Sequence, residues 1–406
     1  MKKLARTYLA VTMVAGIVVA ATHAAAGPRQ RPNPLAGEGE GLKLIANIPW
    51  TSGTDMELTT IKGRDYAFAD SRAPAAEGGG LHVIDITKPD KPKEVGYLPC
   101  TVSQGDIQIS HDQKTVIMAA DGGGGPDSCL MVGKLGFMTV DISNPRKPKA
   151  IGVAEIPRGS HNTTAHPTKP YVYNSDSDLG QRGEIQIWSI KNPAKPELVN
   201  TVPSLPHSPH DISFNKKGTL AVTASVSHFD IWNTEDPANP TLVWTGQCPG
   251  CSITHDAKFT PDGSHIFIGD EGGGGATYPC PGGALYAYLL EGTETQPVPV
   301  LVGAYEPDEF VATSEGPGGC TSHVFDISDD SKKIAISWYT AGTRYLDVSN
   351  PHGFTVGGNG AGIVELGWFI PEGGDSWSSK FHPRNENYIY SNDILRGFDA
   401  YKIVTE

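Results

Sequence analysis

A phrase that ends in a proline turn is written five times along this chain, and the recurrence limits the fold more than any other property. LHVIDITKPDKPKEVGYLP at 81–99 returns as FMTVDISNPRKPKAIGVAEIP at 137–157, IQIWSIKNPAKPELVNTVP at 185–203, FDIWNTEDPANPTLVWTG at 229–246 and, weakened, TRYLDVSNPHGFTV at 343–356. Pro89, Pro145, Pro193, Pro237 and Pro351 each follow a β-rich run by a few residues, and the first four carry a second Pro three positions on. A ring with fixed φ and no amide donor suits a turn between strands and is excluded from a central ladder. Each phrase therefore reads as strand, turn, strand.

Between the phrases lies a second pair of short strands, as in HDISFNKKGTLAVTAS at 210–225 and HDAKFTPDGSHIFIGDE at 255–271, joined by Lys-Gly or Asp-Gly turn chemistry. Four strands per repeat, starting at Asp55, Asp106, Asn162, Asp211, Asp256, Val324 and Ser378, give seven units spaced by 51, 56, 49, 45, 68 and 54 residues. That period and content predict an all-β, seven-bladed β-propeller of four-stranded blades over 42–406. The last unit stops after a third strand at 397–404, while LKLIANIP at 42–49 precedes the first unit as an unmatched strand. The N-terminal strand is expected to complete the seventh blade and close the ring, leaving no long free edge.

Residues 1–26 read as a signal peptide: a basic Met1–Arg6, an apolar run from Leu9 to Ala21, then Ala24-Ala25-Ala26. Residues 27–41, rich in Pro, Gly and charge, read as a flexible lead-in. A secreted or periplasmic location follows, and no later stretch is long and apolar enough for a membrane span. Removing Lys2, Lys3 and Arg6 with the leader leaves 29 basic against 45 acidic residues, which argues against nucleic-acid partners. Six cysteines in an oxidising compartment imply three disulfides. Analogy between blades 2 and 5 suggests Cys100–Cys129 and Cys248–Cys280, leaving Cys251 to meet Cys320; exchanging Cys248 and Cys251 is the alternative. Cys248-x-x-Cys251 taken alone would be a zinc or redox pair.

Aligning the hairpins places one residue per blade just before the innermost strand: Thr54, Gly105, His161, His210, His255, His323 and Trp377. Four consecutive imidazoles at one register ring one mouth of the channel, and neutral imidazole suits Cu, Fe or Zn. Blades copied by duplication also inherit a His without a shared task, each capping its own blade through a backbone hydrogen bond. Asp121 and Glu271 end second strands on the same face and are candidates for the catalytic base or for fixing the tautomer of a ligating His. Asp70 and Asp393 share that register; Asp55, Asp106, Asp211 and Asp256 follow the ring position and are expected to point away from the channel and tie blades together. Trp377, Trp338 and Tyr339 would form an aromatic wall. His207 is placed near the mouth; His166 and His382 occupy matched hairpin turns away from it, and His111, His265 and His352 read as solvated. Calcium at Asp121 and Asp127 is a thinner alternative, because two acids do not supply six oxygens. The Gly-rich runs after Asp121 and Glu271 lack the Gly-Lys-Ser/Thr of a phosphate loop.

The phrase V-I/V-D-I-S-N-P-x-x-P resembles that of secreted LVIVD-repeat propellers, which implies the fold and an exported location rather than an activity. SHVFDISDDSKKIAISWYTAGTRYLDVSNP at 322–351 is distantly similar to the selenium-binding protein/methanethiol oxidase propellers, a likeness that implies copper-dependent oxidation, although that family's Cys-Ser-Ser-Cys segment has no counterpart here. Two functions stand open from the residues themselves. One is an exported, monomeric metal-dependent oxidoreductase acting on a small molecule, with His161, His210, His255 and His323 as ligands; the other is a metal-free scaffold binding a protein or glycan at the top face.

Overall fold

The repeats become antiparallel sheets in which successive strands lie side by side. The computed structural model describes residues 33–122, 129–175, 183–202, 208–272, 282–307, 319–356 and 362–404. Among them stand seven sheets, each with a core of four strands ordered from the axis outward. Blade 1 runs Gly53–Ile61, Arg64–Ser71, Gly80–Asp85 and Lys93–Leu98. Blades 2 to 6 begin with innermost strands Ile107–Ile109, Asn162–Ala165, Asp211–Phe214, Thr254–Phe259 and Phe325–Ile327, and blade 7 begins with Ser376–Phe381. As the sequence predicts, Leu42–Ile48 pairs antiparallel with Gly397–Ile403 and supplies the fourth strand of blade 7. Both ends of the propeller thus share one sheet.

The ring is cemented at every junction by a cluster of buried apolar side chains contributed by two neighbouring blades. Between blades 4 and 5, for example, Val222 and Ile231 meet Ile266 and Ile268. Burying alternate residues of flat, pleated faces against one another is what removes this apolar area from water. The repeated proline has a second task. Its carbonyl faces the neighbouring blade, accepting from Tyr390 Oη at Pro89 (3.3 Å), from Thr139 Oγ1 at Pro193 (2.6 Å) and from Tyr173 Oη at Pro237 (2.8 Å). Gly152 sits beneath the Pro193 turn so closely that a Cβ there would lie 2.4 Å from the Pro193 oxygen. A register irregularity between third and fourth strands recurs in all seven blades and increases the twist at the rim.

Two expectations need correction. Residues 37–40, placed in the flexible lead-in, form the strand Gly37–Glu40 that pairs with Val364–Pro371 on the outer edge of blade 6. The weakened fifth phrase does not close its own blade: Gly353–Val356 crosses to pair parallel with Gln296–Glu306 of blade 5, and Val364–Pro371 takes the fourth place in blade 6. This copy lacks the second proline, and the chain leaves toward the neighbouring edge. The leader, 1–26, lies outside the described residues. Among those described, no helix is long and apolar enough to cross a membrane.

Candidate functional site at the channel mouth

The innermost strands of neighbouring blades stand against one another around an axis, so a shared register becomes a shared place. The amides of His161, His210 and His323 donate to the second strand of their own blades, at Ser175 (3.2 Å), Ala224 (2.6 Å) and Ser337 (2.9 Å). His255 sits where the blade 5 register shifts between Thr254 and Asp256. The structure brings the four imidazoles into one arc, with ring centres 4.5 Å apart from His161 to His210, 4.3 Å from His210 to His255 and 4.1 Å from His255 to His323. Trp377 continues it, 4.4 Å from His323.

Hydrogen bonds fix the tautomers. His210 Nδ1 lies 3.1 Å from the His255 carbonyl and His323 Nδ1 2.6 Å from the Trp377 carbonyl, each on the next blade. A carbonyl only accepts, so each Nδ1 carries the proton and each Nε2 presents its lone pair. The blade-capping bonds anticipated as the alternative to metal binding are therefore present, and they prepare the same rings as ligands. His255 differs: its Nδ1 is buried with no hydrogen-bond partner, and its Nε2 stands 3.8 Å from Glu271 Oε2. Burial drives His210 and His255 well below the usual imidazole range and His323 down to about 3, reinforced by the neighbouring rings, so all three are neutral near pH 7.

Glu271 enters the arc as a member. Its Oε1 accepts from Tyr339 Oη at 2.5 Å and lies 3.8 Å from His323 Nε2. Burial, with the nearby Asp270 charge, pushes its pKa up to about 7 against the opposing bond from Tyr339. Ligand atoms of His210, His255 and Glu271 all lie within 4.8 Å of one another, the one such grouping among the described residues.

Two of the four histidines expected as ligands, His210 and His255, fall in that grouping. His161 is on the arc, yet both its nitrogens are engaged: Nδ1 with Asp121 Oδ2 at 2.9 Å and Nε2 with the Gln104 side-chain amide at 3.2 Å. Asp121 orients His161 as the sequence suggests. Burial works to raise its carboxyl, but the His161 bond holds it below the usual range. Gln104 escaped the sequence reading; its signal is the adjacent ring position Gly105, where a Cβ would collide with Thr54 Oγ1 (2.4 Å) and Asp70 Oδ2 (2.2 Å). Tyr339 belongs to the site, whereas Trp338 does not: it is buried in the blade 5–6 cluster, edge-on to Tyr305. Asp393 caps a turn, accepting from the amides of Asp375, Leu395 and Arg396.

Asp55, Asp106 and Asp211 correct a second reading, because they line the channel rather than point away from it. They join blades all the same: Asp55 accepts from the Ile107 amide (3.3 Å), Asp106 from Thr163 (2.7 Å) and Asp256 from Phe325 (3.4 Å). His166 and His382 do lie in hairpin turns, donating through Nε2 to the next blade at Gly218 O and Ile86 O, both 3.0 Å. His111 and His352 are exposed, and His265 is half-buried. His207 and Asp127 lie outside the described residues.

Cys100 and Cys129 are bonded as expected. The second pairing is corrected: Cys248 joins Cys251, not Cys280, which lies outside the described residues. Cys248-Pro-Gly-Cys251 is a tight turn, with the Cys251 amide on the Cys248 carbonyl (3.1 Å) and Gly250 at φ 99°, and it brings the two Cα atoms within 5.4 Å. Cys320, expected to meet Cys251, is disulfide-bonded to another residue.

Comparison with known proteins agrees with this architecture. The LVIVD repeat family matches residues 130–153, which span the proline phrase of blade 2. The chain is a β-propeller that carries an LVIVD repeat. The propeller is similar to the Cps50 (Swd1) β-propeller domain of Myceliophteria thermophila, with TM-score 0.63 at 10% identity over 89% of this chain and 99% of that one. It is also similar to a functionally unknown protein from Desulfotomaculum acetoxidans, with TM-score 0.55 at 16% identity over 77% of this chain and 88% of that one. At these identities the likeness shows the fold alone. No protein with a curated description matches this propeller, and the likeness to selenium-binding propellers is not shown.

Proposed function

We propose that this propeller is an exported metalloprotein that holds one divalent transition-metal ion at the channel mouth and oxidises a small molecule there. His210 and His255 would hold the ion through imidazole nitrogens and Glu271 through a carboxylate oxygen, with His323 Nε2 beside them. The observation that carries the reading is the convergence of these three buried groups within 4.8 Å, with no cation among the side chains paired to Glu271. Neutral imidazoles, with His210 and His323 locked as Nδ1–H tautomers, and a carboxylate left at about pKa 7 fit a cation's donor set. Two imidazoles and one carboxylate suit iron or zinc better than a copper site built on thiolate or thioether, and leave positions open for a substrate. The ion, when bound, supplies Lewis acidity and, if it is iron, redox capacity.

The chain's own residues shape the rest. Tyr339 donates to Glu271 and restrains which oxygen faces the imidazoles, while Trp377, with the Arg72 guanidinium 5.3 Å from its ring centre, walls one side of the mouth. Export is supported by the signal-like pattern at 1–26 and by the disulfides Cys100–Cys129 and Cys248–Cys251. The test is metal analysis of protein purified without an affinity tag, beside a His210→Ala/His255→Ala variant. About one equivalent in the parent and a trace in the variant is expected. Equal traces in both end the metal reading and leave the propeller as a scaffold for a protein or glycan.

A further inference from the structure

The chain leaves the outermost strand of blade 4, Thr241–Gln247, and reaches the innermost strand of blade 5, Thr254–Phe259, through residues 248–253. The Cys248–Cys251 bridge lies in that passage, shortly before His255. Its two ends differ in access. Cys248 is 3% exposed within the blade 4–5 cluster, whereas Cys251 is half-buried, and Pro249 and Gly250 between them are exposed. The turn has supports besides the bridge: Pro249 fixes φ at the second position, Gly250 takes the left-handed φ of 99° at the third, and the Cys251 amide donates to the Cys248 carbonyl at 3.1 Å. Two thiols on such a turn remain neighbours when the bridge opens, so it can close again without a long search.

A bridge across a separation of 3 residues does little as a staple. Cross-linking stabilises chiefly by restricting the unfolded chain, and the effect grows with loop length, so Cys100–Cys129, at a separation of 29, has the stronger structural role. What Cys248–Cys251 does govern is the segment that follows it. The Ser252 and Ile253 amides donate to Asp270 Oδ1 at 3.0 and 2.8 Å, and the Ile253 carbonyl accepts the Glu271 amide at 2.9 Å. Both blade 5 members of the mouth cluster therefore hang on residues 252–253. His255 follows them in the chain, and Glu271 is tied to them through its backbone.

We propose that Cys248–Cys251 is a reversible redox site, opened by an external dithiol reductant, and that opening it loosens His255 and Glu271. A thiolate of the reductant attacks the accessible Cys251 Sγ, the Sγ–Sγ bond breaks, and Cys248 leaves as a thiolate that takes up a proton. The reductant's second thiol, as its thiolate, then attacks the reductant sulfur of the mixed disulfide and displaces Cys251, which takes up the second proton. The reductant ends as a disulfide, and two electrons and two protons have passed to the propeller. Released from its partner, Cys251 no longer anchors the start of 252–253, and the amides held by Asp270 open more often. Only the effect on metal affinity rests on the reading of the mouth as a metal site; the redox chemistry and the loosening stand apart from it.

A graded series of reduced-to-oxidised dithiothreitol ratios on the full propeller tests it, with thiols located by alkylation and mass spectrometry and amide exchange followed at each step. Cys248 and Cys251 should be half reduced at a ratio about 10-fold lower than Cys100 and Cys129 require. Exchange across 252–255 and at Glu271 should then quicken about 10-fold, and reoxidation should reverse both changes. Cys248→Ser/Cys251→Ser gives the open turn without offering thiolates to a metal; it should exchange like the reduced parent and bind zinc about 10-fold more weakly than the oxidised parent. Opening only together with or after Cys100–Cys129 overturns the proposal, as does an open turn with unchanged exchange at 252–255 and 271. Equal zinc affinity in oxidised parent and variant overturns the coupling to the mouth. An oxidised parent that binds no zinc overturns the metal reading instead, and the redox site is then decided by the thiol map and the exchange.

Discussion

The two ends of the channel are built from neighbouring residues of the same strands, and they solve burial in opposite ways. At the mouth, His210, His255 and His323 meet desolvation by giving up their charge. At the far end, Asp55, Asp106, Asp256 and Asp326 lean on the amides of the next blade, and two lysines reach in. His255 and Asp256 stand side by side in the chain yet belong to different chemistries: His255 joins the imidazole arc, while Asp256 pairs with Lys258 and accepts from the Phe325 amide.

The sharpest way to break the contrast is to strip charge from one end and polarity from the other. Lys380→Met leaves Glu57 without its ion-pair partner and should cost about 3–5 kcal/mol in chemical denaturation. Burial works against the Lys380 charge, but Glu57, Asp55 and Asp326 hold its pKa above the ordinary lysine value. His255→Ala at the mouth removes a ring whose Nδ1 has no partner and should cost less than half as much.

Acid should act next most strongly. His166 accepts the Thr168 and Lys169 amides on Nδ1 and donates Nε2–H to Gly218, so only the neutral ring fits. Burial lowers its pKa from 6.5 to about 4. A depressed folded pKa gives stability that is complete above 6.5 and is lost as pH falls through 4. At about 1.4 kcal/mol per unit the loss is on the order of 3 kcal/mol. The loss should be absent from His166→Gln and so appear as a pH-dependent difference between parent and variant in urea titrations run across that window.

Smaller effects sharpen the mouth itself. Tyr339→Phe removes the donor that holds down the Glu271 pKa, so the carboxyl should rise further above about 7 and metal affinity at pH 7 should fall about 10-fold. The loss should shrink above pH 8, where Glu271 ionises regardless. Smallest of all, Gln104→Ala unties His161 Nε2 at a cost of about 0.5–1 kcal/mol and frees that ring to turn toward the other three, which the His161 ring-proton chemical shifts on metal addition would report.

How much of this was legible in the sequence depended on distance along the chain. The proline phrases and the strand left over at 42–48 define the ring because each is a local pattern repeated. The His register was legible for the same reason. What could not be read was orientation. Nothing at Glu271 announces that its carboxylate lies between two imidazoles from blades 5 and 6, and nothing at His161 announces Gln104 from blade 2. The Cys248–Cys251 pair was the opposite failure: its turn chemistry, Pro then Gly, was visible locally and was outweighed by an analogy between blades. The exchange of Gly353–Val356 onto blade 5 occurs in the one copy of the phrase that lacks the second proline.

Blade 7 takes three strands from one terminus and its outermost strand from the other. A growing polypeptide therefore cannot finish the circle until Gly397–Ile403 emerges, and Leu42–Ile48 must wait, unpaired, through the synthesis of the strands between. The ring locks by a single late event, so damage to either tail should be felt as a whole molecule that springs open and not as a frayed end.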